Sequence, residues 1–400
     1  MRNRGVRIGI VAGVLVLGAG VVAAGPVQAA AQPCRSRPAG LPQLAVSSWL
    51  TGVSVLSVCD AWAVGGYSDR QGQGGLIEHW NGSSWTARLL PGVDGLGGLS
   101  AVTALSRSDA WAVGSYYLPG DIISQSLALH WNGRVWRRVP VPGTGPRTSS
   151  GLAGVSAVSP RDIWAVGAYQ AGAEGYWDLI EHWNGRAWHR VRGPRRSVAF
   201  YGLVGVTAIA RNRVWGVGAG QDFGTGAALI RWDGRHWRKV RLPRPAHAVG
   251  LDFGQVAASS SRNAWAVGGY SILHNENPEP LAMHWNGKSW TQTPLPGLNN
   301  AYLTGVAIAS PTSVWAVGTR NYIQGPHFYT GYVVEHWNGR SWKVVRSPNP
   351  SPAGKDRELN FMAGTSGSDM WAVGQDGHEA THALALHCCQ WRTLPRPSQN

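Results

Sequence analysis

Ile163-Trp164-Ala165-Val166-Gly167, followed by His182-Trp183-Asn184-Gly185-Arg186-Ala187-Trp188, decides the fold of this chain, because the same two stretches return along its whole length. Trp-Ala-Val-Gly starts at Trp62, Trp111, Trp164, Trp265, Trp315 and Trp371, with Trp-Gly-Val-Gly at Trp215. The intervals are 49, 53, 51, 50, 50 and 56 residues. His-Trp-Asn-Gly follows at His79, His130, His182, His284 and His336, Arg231-Trp-Asp-Gly replaces it in the fourth repeat, and His387-Cys388-Cys389-Gln390 in the seventh. A further Trp closes each repeat at 85, 136, 188, 237, 290, 342 and 391. A period near fifty residues is the mark of a propeller or solenoid and outranks local readings.

Within the third repeat, Leu152 to Val158 alternates large and small residues and reads as a strand. Ser159-Pro160-Arg161-Asp162 is a turn, and Ile163 to Gly167 a second strand. After a variable loop, Leu179 to Trp183 reads as a third strand, and Asn184-Gly185 is a two-residue hairpin turn. Trp188 to Val191 is the fourth strand. The expectation is an all-β chain: a seven-bladed β-propeller with four antiparallel strands per blade. Trp and Val, two residues apart, share one face of the second strand, and the small residues between them leave room for a neighbouring blade.

The repeat resembles kelch or galactose-oxidase-type propeller blades of a secreted bacterial kind, over about residues 49–395. The glycine doublet of that group is kept at Gly65-Gly66 and Gly268-Gly269, and the fourth-strand Trp is kept in all seven repeats. The resemblance implies the fold and leaves function open, since such propellers include enzymes and binders. The adjacent Tyr-His pair of its radical-copper members is absent, so no cofactor and no metal is expected.

Composition fits short strands joined by turns: 54 Gly, 24 Pro and 22 Trp in 400 residues, with only 14% charged. The N-terminus reads as an export signal over residues 1–31. Arg2, Arg4 and Arg7 precede an apolar run from Ile8 to Ala24, and small residues reach Ala31. A retained membrane anchor is the alternative. A tail spans residues 32–48, the propeller 49–395, and a C-terminal tail 396–400. The expected location is outside the cell.

The formal charge is +15 and Arg outnumbers Lys 32 to 4. The basic residues are spread over every repeat, which reads as a solvated surface with no nucleic-acid partner. Arg and Lys on the outer strands guard exposed sheet edges, as in a monomer. Four cysteines in an exported chain fit two disulfides. The expected arrangement joins Cys388 and Cys389 of the last hairpin to Cys59 and Cys34, closing the ring.

Twenty of the 22 tryptophans hold the three repeated positions, and six of the 13 histidines precede Trp in the second motif. Both sets, the sixth histidine being His387 with Cys388 in place of the Trp, read as packing residues, with each His bonding a nearby turn. The first-turn Asp60, Asp109, Asp162 and Asp369 read as turn formers. Function must then lie where the repeat varies. Loops between strands two and three and between blades share one face, and the tyrosines fall in or beside them. The ligand-binding candidates are Tyr117, Trp177, Tyr201, Phe253, Tyr270, Tyr302, Tyr322 and Phe361. The leading functional expectation is a non-catalytic binder of a glycan, a cell-wall polymer or an extracellular protein on this aromatic face, with no catalytic residue assigned. The rival is a carbohydrate-active hydrolase or lyase using loop carboxylates such as Asp252 and Glu358 with His274, His327, His378 or His382.

Overall fold

The computed structural model describes residues 47–70, 72–90, 97–117, 120–145, 147–170, 175–194, 202–218, 229–273, 278–324, 327–345, 357–367, 369–377 and 382–387, with backbone alone at 322–324, 327–329 and 382–384. The chain divides into Met1–Pro33 and Cys34–Asn400, and every described residue belongs to the second unit. The export signal, Cys34, Cys388, Cys389, Tyr201 and the C-terminal tail lie outside the described residues.

Blade 1 is β1 (Ser47–Ser57), β2 (Asp60–Asp69), β3 (Gly72–Trp80) and β4 (Trp85–Leu90). Blade 2 is β5 (Gly97–Ser106), β6 (Asp109–Tyr117), β7 (Ser124–Trp131) and β8 (Trp136–Arg138). Blade 3 is β9 (Ser150–Ser159), β10 (Asp162–Gln170), β11 (Tyr176–Trp183) and β12 (Trp188–Arg190). Blade 4 is β13 (Leu203–Ala210), β14 (Arg213–Gly218), β15 (Leu229–Trp232) and β16 (Trp237–Lys239). Blade 5 is β17 (Ala248–Ser260), β18 (Asn263–Ile272), β19 (Glu279–Trp285) and β20 (Trp290–Gln292). Blade 6 is β21 (Ala301–Ser310), β22 (Ser313–Gln324), β23 (His327–Trp337) and β24 (Trp342–Val344). Blade 7 shows β25 (Arg357–Ser366), β26 (Asp369–Asp376) and β27 (His382–His387); its expected fourth strand around Trp391 is outside the described residues. Each sheet is antiparallel in sequence order, and together they form the seven-bladed propeller.

The Trp-Ala-Val-Gly motif has a separate reason for each residue. Trp62 and Val64 face blade 2, where they join Leu99, Val102, Ala110 and Leu127 in one core cluster. Ala61 and Ala63 point the other way, into the cluster shared with Trp371 and Val373 of blade 7. The Gly is demanded by the inner strand. There the register skips one residue, as between Leu50 and Gly52 in blade 1 and between Leu152 and Gly154 in blade 3. The bulge pushes the inner-strand carbonyl toward the second strand. A Cβ on Gly167 would overlap the Gly151 carbonyl oxygen, and one on Gly65 the Trp49 carbonyl oxygen.

Several bulged residues reach across to the next blade. Thr51 Oγ1 donates to Leu99 O at 2.8 Å and Thr304 Oγ1 to Leu359 O at 2.6 Å. Asn360 Nδ2 donates to Leu50 O at 2.9 Å, which joins blade 7 to blade 1 and closes the ring. Indoles add a second seam. The second-strand Trp of one blade meets the fourth-strand Trp of the next edge-on, with centroids 5.0 to 5.4 Å apart at the interfaces of blades 7–1, 1–2, 2–3, 3–4, 4–5 and 5–6. Such pairs contribute about 0.5–1.5 kcal/mol each beyond the area they bury.

The histidines hold the first turn, as expected. His182 Nε2 lies 2.8 Å from Asp162 Oδ1, His130 Nε2 2.9 Å from Asp109 Oδ1, and His284 Nε2 2.9 Å from Asn263 Oδ1. Each ring also packs on the Trp beside it, at 4.3 Å for His182 on Trp164. The role of the Asp differs from the sequence reading. The turn N–H is bonded by the serine before it, with Arg161 N donating to Ser159 Oγ and Ser108 N to Ser106 Oγ. That leaves the Asp carboxylate for the imidazole and, in blade 3, for the buried Trp164 indole N–H at 3.1 Å.

Candidate functional site

Inner strands run away from the loop face, so that face collects the ends of every second and third strand and every connection between blades. The second and third strands are longer than the sequence reading. In blade 3 they continue to Gln170 and start at Tyr176, with Tyr169 opposite Trp177 in the ladder. Tyr169, Tyr176 and Trp177 are therefore strand residues, aimed by the pleat and not by loop conformation.

Among the described residues the exposed aromatic side chains are Tyr117 (37%), Tyr176 (44%) and Trp177 (42%), all at the loop ends of blades 2 and 3. A cavity of about 280 Å3 lies between the same two blades, and none of these three rings is among its lining residues. Its walls are Tyr116, Gln125, Ser126 and Arg138 of blade 2, the Pro140–Gly143 connection, and Ser150 of blade 3. Ser126 ties the two blades, its N and Oγ both bonding Ser150 Oγ at 3.2 and 3.0 Å. Arg138 sits over Tyr116, with its guanidinium carbon 3.9 Å from the ring centroid and a hydrogen bond donated to the Tyr116 hydroxyl. A cation over an aromatic face at this exposure contributes about 0.5–1 kcal/mol, and it fixes the fork in one orientation. The cavity thus offers a guanidinium, an amide and two serine hydroxyls, with the Tyr116 ring beneath the guanidinium. Among the described residues that line it, none is a carboxylate or an imidazole.

The other sequence candidates are distributed differently. Phe253 is fully buried in the core between blades 4 and 5, packed with Trp215, Leu251 and Trp290. It points off β17 into that interface, so it supports the blade and does not reach a surface. Phe361 packs into the cluster between blades 7 and 1, beside the ring closure. Tyr270 is half-buried against the blade 4–5 core, and burial with the nearby Glu279 carboxylate raises its phenol pKa. Tyr302 lies over Gly269 of the neighbouring blade and bonds the Asp252 carboxylate. Burial first, and Asp252 second, hold that phenol protonated well beyond its ordinary range. Tyr322 lies on β22, where the backbone alone is described. Of the eight candidates, then, Tyr117 and Trp177 stand exposed at the loop ends of blades 2 and 3. Sequence reasoning passed over Tyr116 and Arg138, although an Arg on the fourth strand of a blade whose second strand ends Tyr-Tyr was a usable signal.

Three glutamates are buried elsewhere. Glu78, Glu181 and Glu335 occupy one repeat position on the third strands of blades 1, 3 and 6. Burial pushes Glu78 up to about 8 and Glu335 up to about 7. Burial also dominates at Glu181, raised to about 7 against the opposing pull of Arg190, whose Nε lies 3.4 Å from Oε1. Among the described residues no cluster of three or more His, Cys, Asp or Glu is placed to hold a metal ion, and Cys59 is disulfide-bonded.

Neither the family models nor the curated proteins contain a match to this chain. Solved structures do match it. One is YCF48 bound to a D1 peptide, with a TM-score of 0.54 at 14% identity over 88% of this chain and 96% of that one. Another is a polysaccharide lyase of a new family, PL25 ulvan lyase, with 0.50 at 11% over 85% and 94%. A third is the fucose-specific lectin from Aleuria aurantia, with 0.45 at 16% over 77% and 98%. The chain is a β-propeller. At these identities the likeness carries the fold and no ligand.

Proposed function

We propose that this propeller is a secreted, non-catalytic carbohydrate-binding module that holds sugar at the loop ends of blades 2 and 3. One observation carries the reading: the exposed aromatics of the described residues stand at the loop ends of these two blades, and a cavity lined with hydrogen-bonding side chains lies between the same blades. Flat faces such as Trp177 suit the apolar C–H side of a pyranose, while Arg138, Gln125 and Ser126 suit its hydroxyls. A hydrolase or lyase would need a carboxylate or imidazole beside the bound sugar, and the lining residues include neither. Secretion rests on the basic and apolar N-terminus, and kelch-type kinship on the glycine doublets and fourth-strand Trp.

A glycan array probed with the mature protein, followed by calorimetry on the best ligand, tests the proposal. Arg138→Ala and Trp177→Ala should each weaken binding by about tenfold, a loss of about 1.4 kcal/mol. Absence of binding to the array and to cell-wall preparations, or full affinity in both variants, would overturn it.

A further inference from the structure

The basic residues that look evenly spread in sequence are not evenly spread in space. An open groove of about 720 Å3 runs along the outer rim between blades 4 and 5, from the hairpin turns of both blades to the Arg241–Pro243 connection. Five cationic side chains line it: Arg231, Arg238, Lys239, Arg241 and Lys288, against Asp233 in the lining and Asp178 of blade 3, whose charge acts on Lys239.

The groove forms where the repeat breaks. Blade 4 carries Arg231 where His stands in the other blades, Asp233 where five others have Asn, and Gly216 where they have Ala. Elsewhere a His ring lies against the Trp. Here the guanidinium is always charged. It lies 5.3 Å from the Trp215 ring centroid and 6.0 Å from that of Trp285. Asp233 accepts from its own turn, from Arg235 N and His236 N at 2.9 and 2.8 Å, and from Arg238 Nε at 2.7 Å. These contacts hold its pKa far below the usual carboxylate range.

We propose that this groove is a second binding site, for an acidic polysaccharide bearing carboxylate or sulfate groups. The cations neutralise the charged groups of such a chain. Asp233, fixed as an acceptor among them, suits the hydroxyls that lie between those groups on a sugar polymer. The backbone of duplex DNA has no hydroxyls between its phosphates to donate to Asp233, whereas a sugar polymer has them. Of the three indoles in the wall, Trp215 and Trp290 are buried and Trp285 is half-buried. The site stands on the rim, away from the loop-face cavity, and does not depend on it.

The test measures binding of the full mature chain to dextran sulfate, to polygalacturonate and to neutral dextran over a series of salt concentrations. The two anionic probes separate sulfate from carboxylate recognition. Arg238→Gln/Arg241→Gln/Lys288→Gln removes three exposed charges from the groove. Arg137→Gln/Arg186→Gln/Arg340→Gln removes three exposed charges from other blades and serves as the equal-charge control. The groove variant should lose at least about tenfold in affinity for an anionic probe and show a shallower salt dependence, with the control unchanged. Neutral dextran should not bind at this site, and Arg138→Ala should leave anionic binding intact. Equal loss in both triple variants would reduce the attraction to net charge and overturn the site. Duplex DNA bound as tightly as the polysaccharides, and released by the groove variant alone, would overturn the ligand class. Near-ultraviolet circular dichroism of each variant establishes that the ring is intact.

Discussion

Glu78 sits in an apolar core with no hydrogen-bond partner for either carboxylate oxygen among the described residues. Its ordinary value of 4.5 holds in the unfolded chain, and burial raises the folded value to about 8. The folded state therefore keeps the proton more tightly. Its contribution to stability is complete below the unfolded value and is lost as pH rises through the folded one. Glu181 and Glu335 behave alike with folded values of about 7. The urea midpoint should fall as pH rises from about 5 to about 9, and Glu78→Gln should make that fall shallower; an unchanged slope would show that the site does not titrate on folding. Asp162 makes a contrasting prediction. Asp162→Ala strips the partner from the Trp164 indole and the His182 ring at once. It should cost about 1–3 kcal/mol by chemical denaturation, the range for buried polar groups left unpaired. The His–Trp pairing was legible from its periodicity. The glutamates were visible as residues but not as anomalies, until Leu129, Ile230, Met283 and Leu386 are set at the same repeat position.

At the scale of the strand, the bulge in each inner strand explains the last letter of the repeat. Gly167→Ala drives a methyl group into the Gly151 carbonyl. It should destabilise by about 3 kcal/mol, whereas Gly143→Ala, in a connection with open space around it, should cost far less. Comparison of their thermal midpoints checks the difference. Strand number and order were readable because most strands end on a turn signal, including the Asn-Gly turns whose glycines take φ values near +90°, such as 95° at Gly185, although Trp183 pairs with Trp188 and the loop has four residues where the sequence suggests two. Strand length was not readable. Alternation continues past Gly167 through Tyr169 and resumes at Tyr176, and nothing local separates a ladder residue from a loop residue there.

For the whole molecule, the count of seven was written in the sequence, while both candidate sites had to be found in space. The blade 2–3 cavity combines Tyr116, Arg138 and Ser150, and the basic groove combines Arg231 with Lys288. Both lie between blades, and periodicity describes blades one at a time. Phe253 shows the same limit, since its place in a variable segment says nothing of which blade it packs against. The ring itself closes through Asn360 and Leu50. Asn360→Ala should cost about 1 kcal/mol in equilibrium unfolding. Cys59 is disulfide-bonded, and the further closure expected from the sequence places Cys388 and Cys389 with Cys59 and Cys34. Non-reducing peptide mapping should recover peptides that join the C-terminal hairpin to the N-terminal segment. Reduction should then lower stability by about 4–5 kcal/mol in the chain-entropy view. A Cys34–Cys59 bridge with Cys388 bonded to Cys389 would refute that pairing.

The edge-on indoles at six of the blade interfaces have an optical consequence. Two indoles with centroids 5.0 Å apart and planes at 87°, as at Trp85 and Trp371, have transition dipoles close enough to couple and a fixed chiral relation. Each seam is thus a chromophore in its own right, and its signal exists only while the two blades touch. Parting the ring at the seam between blades 7 and 1 would silence one pair and spare the rest. Collapse of the whole propeller would silence all of them together. Near-ultraviolet dichroism therefore distinguishes a propeller that opens like a clasp from one that melts, without any label added to the chain.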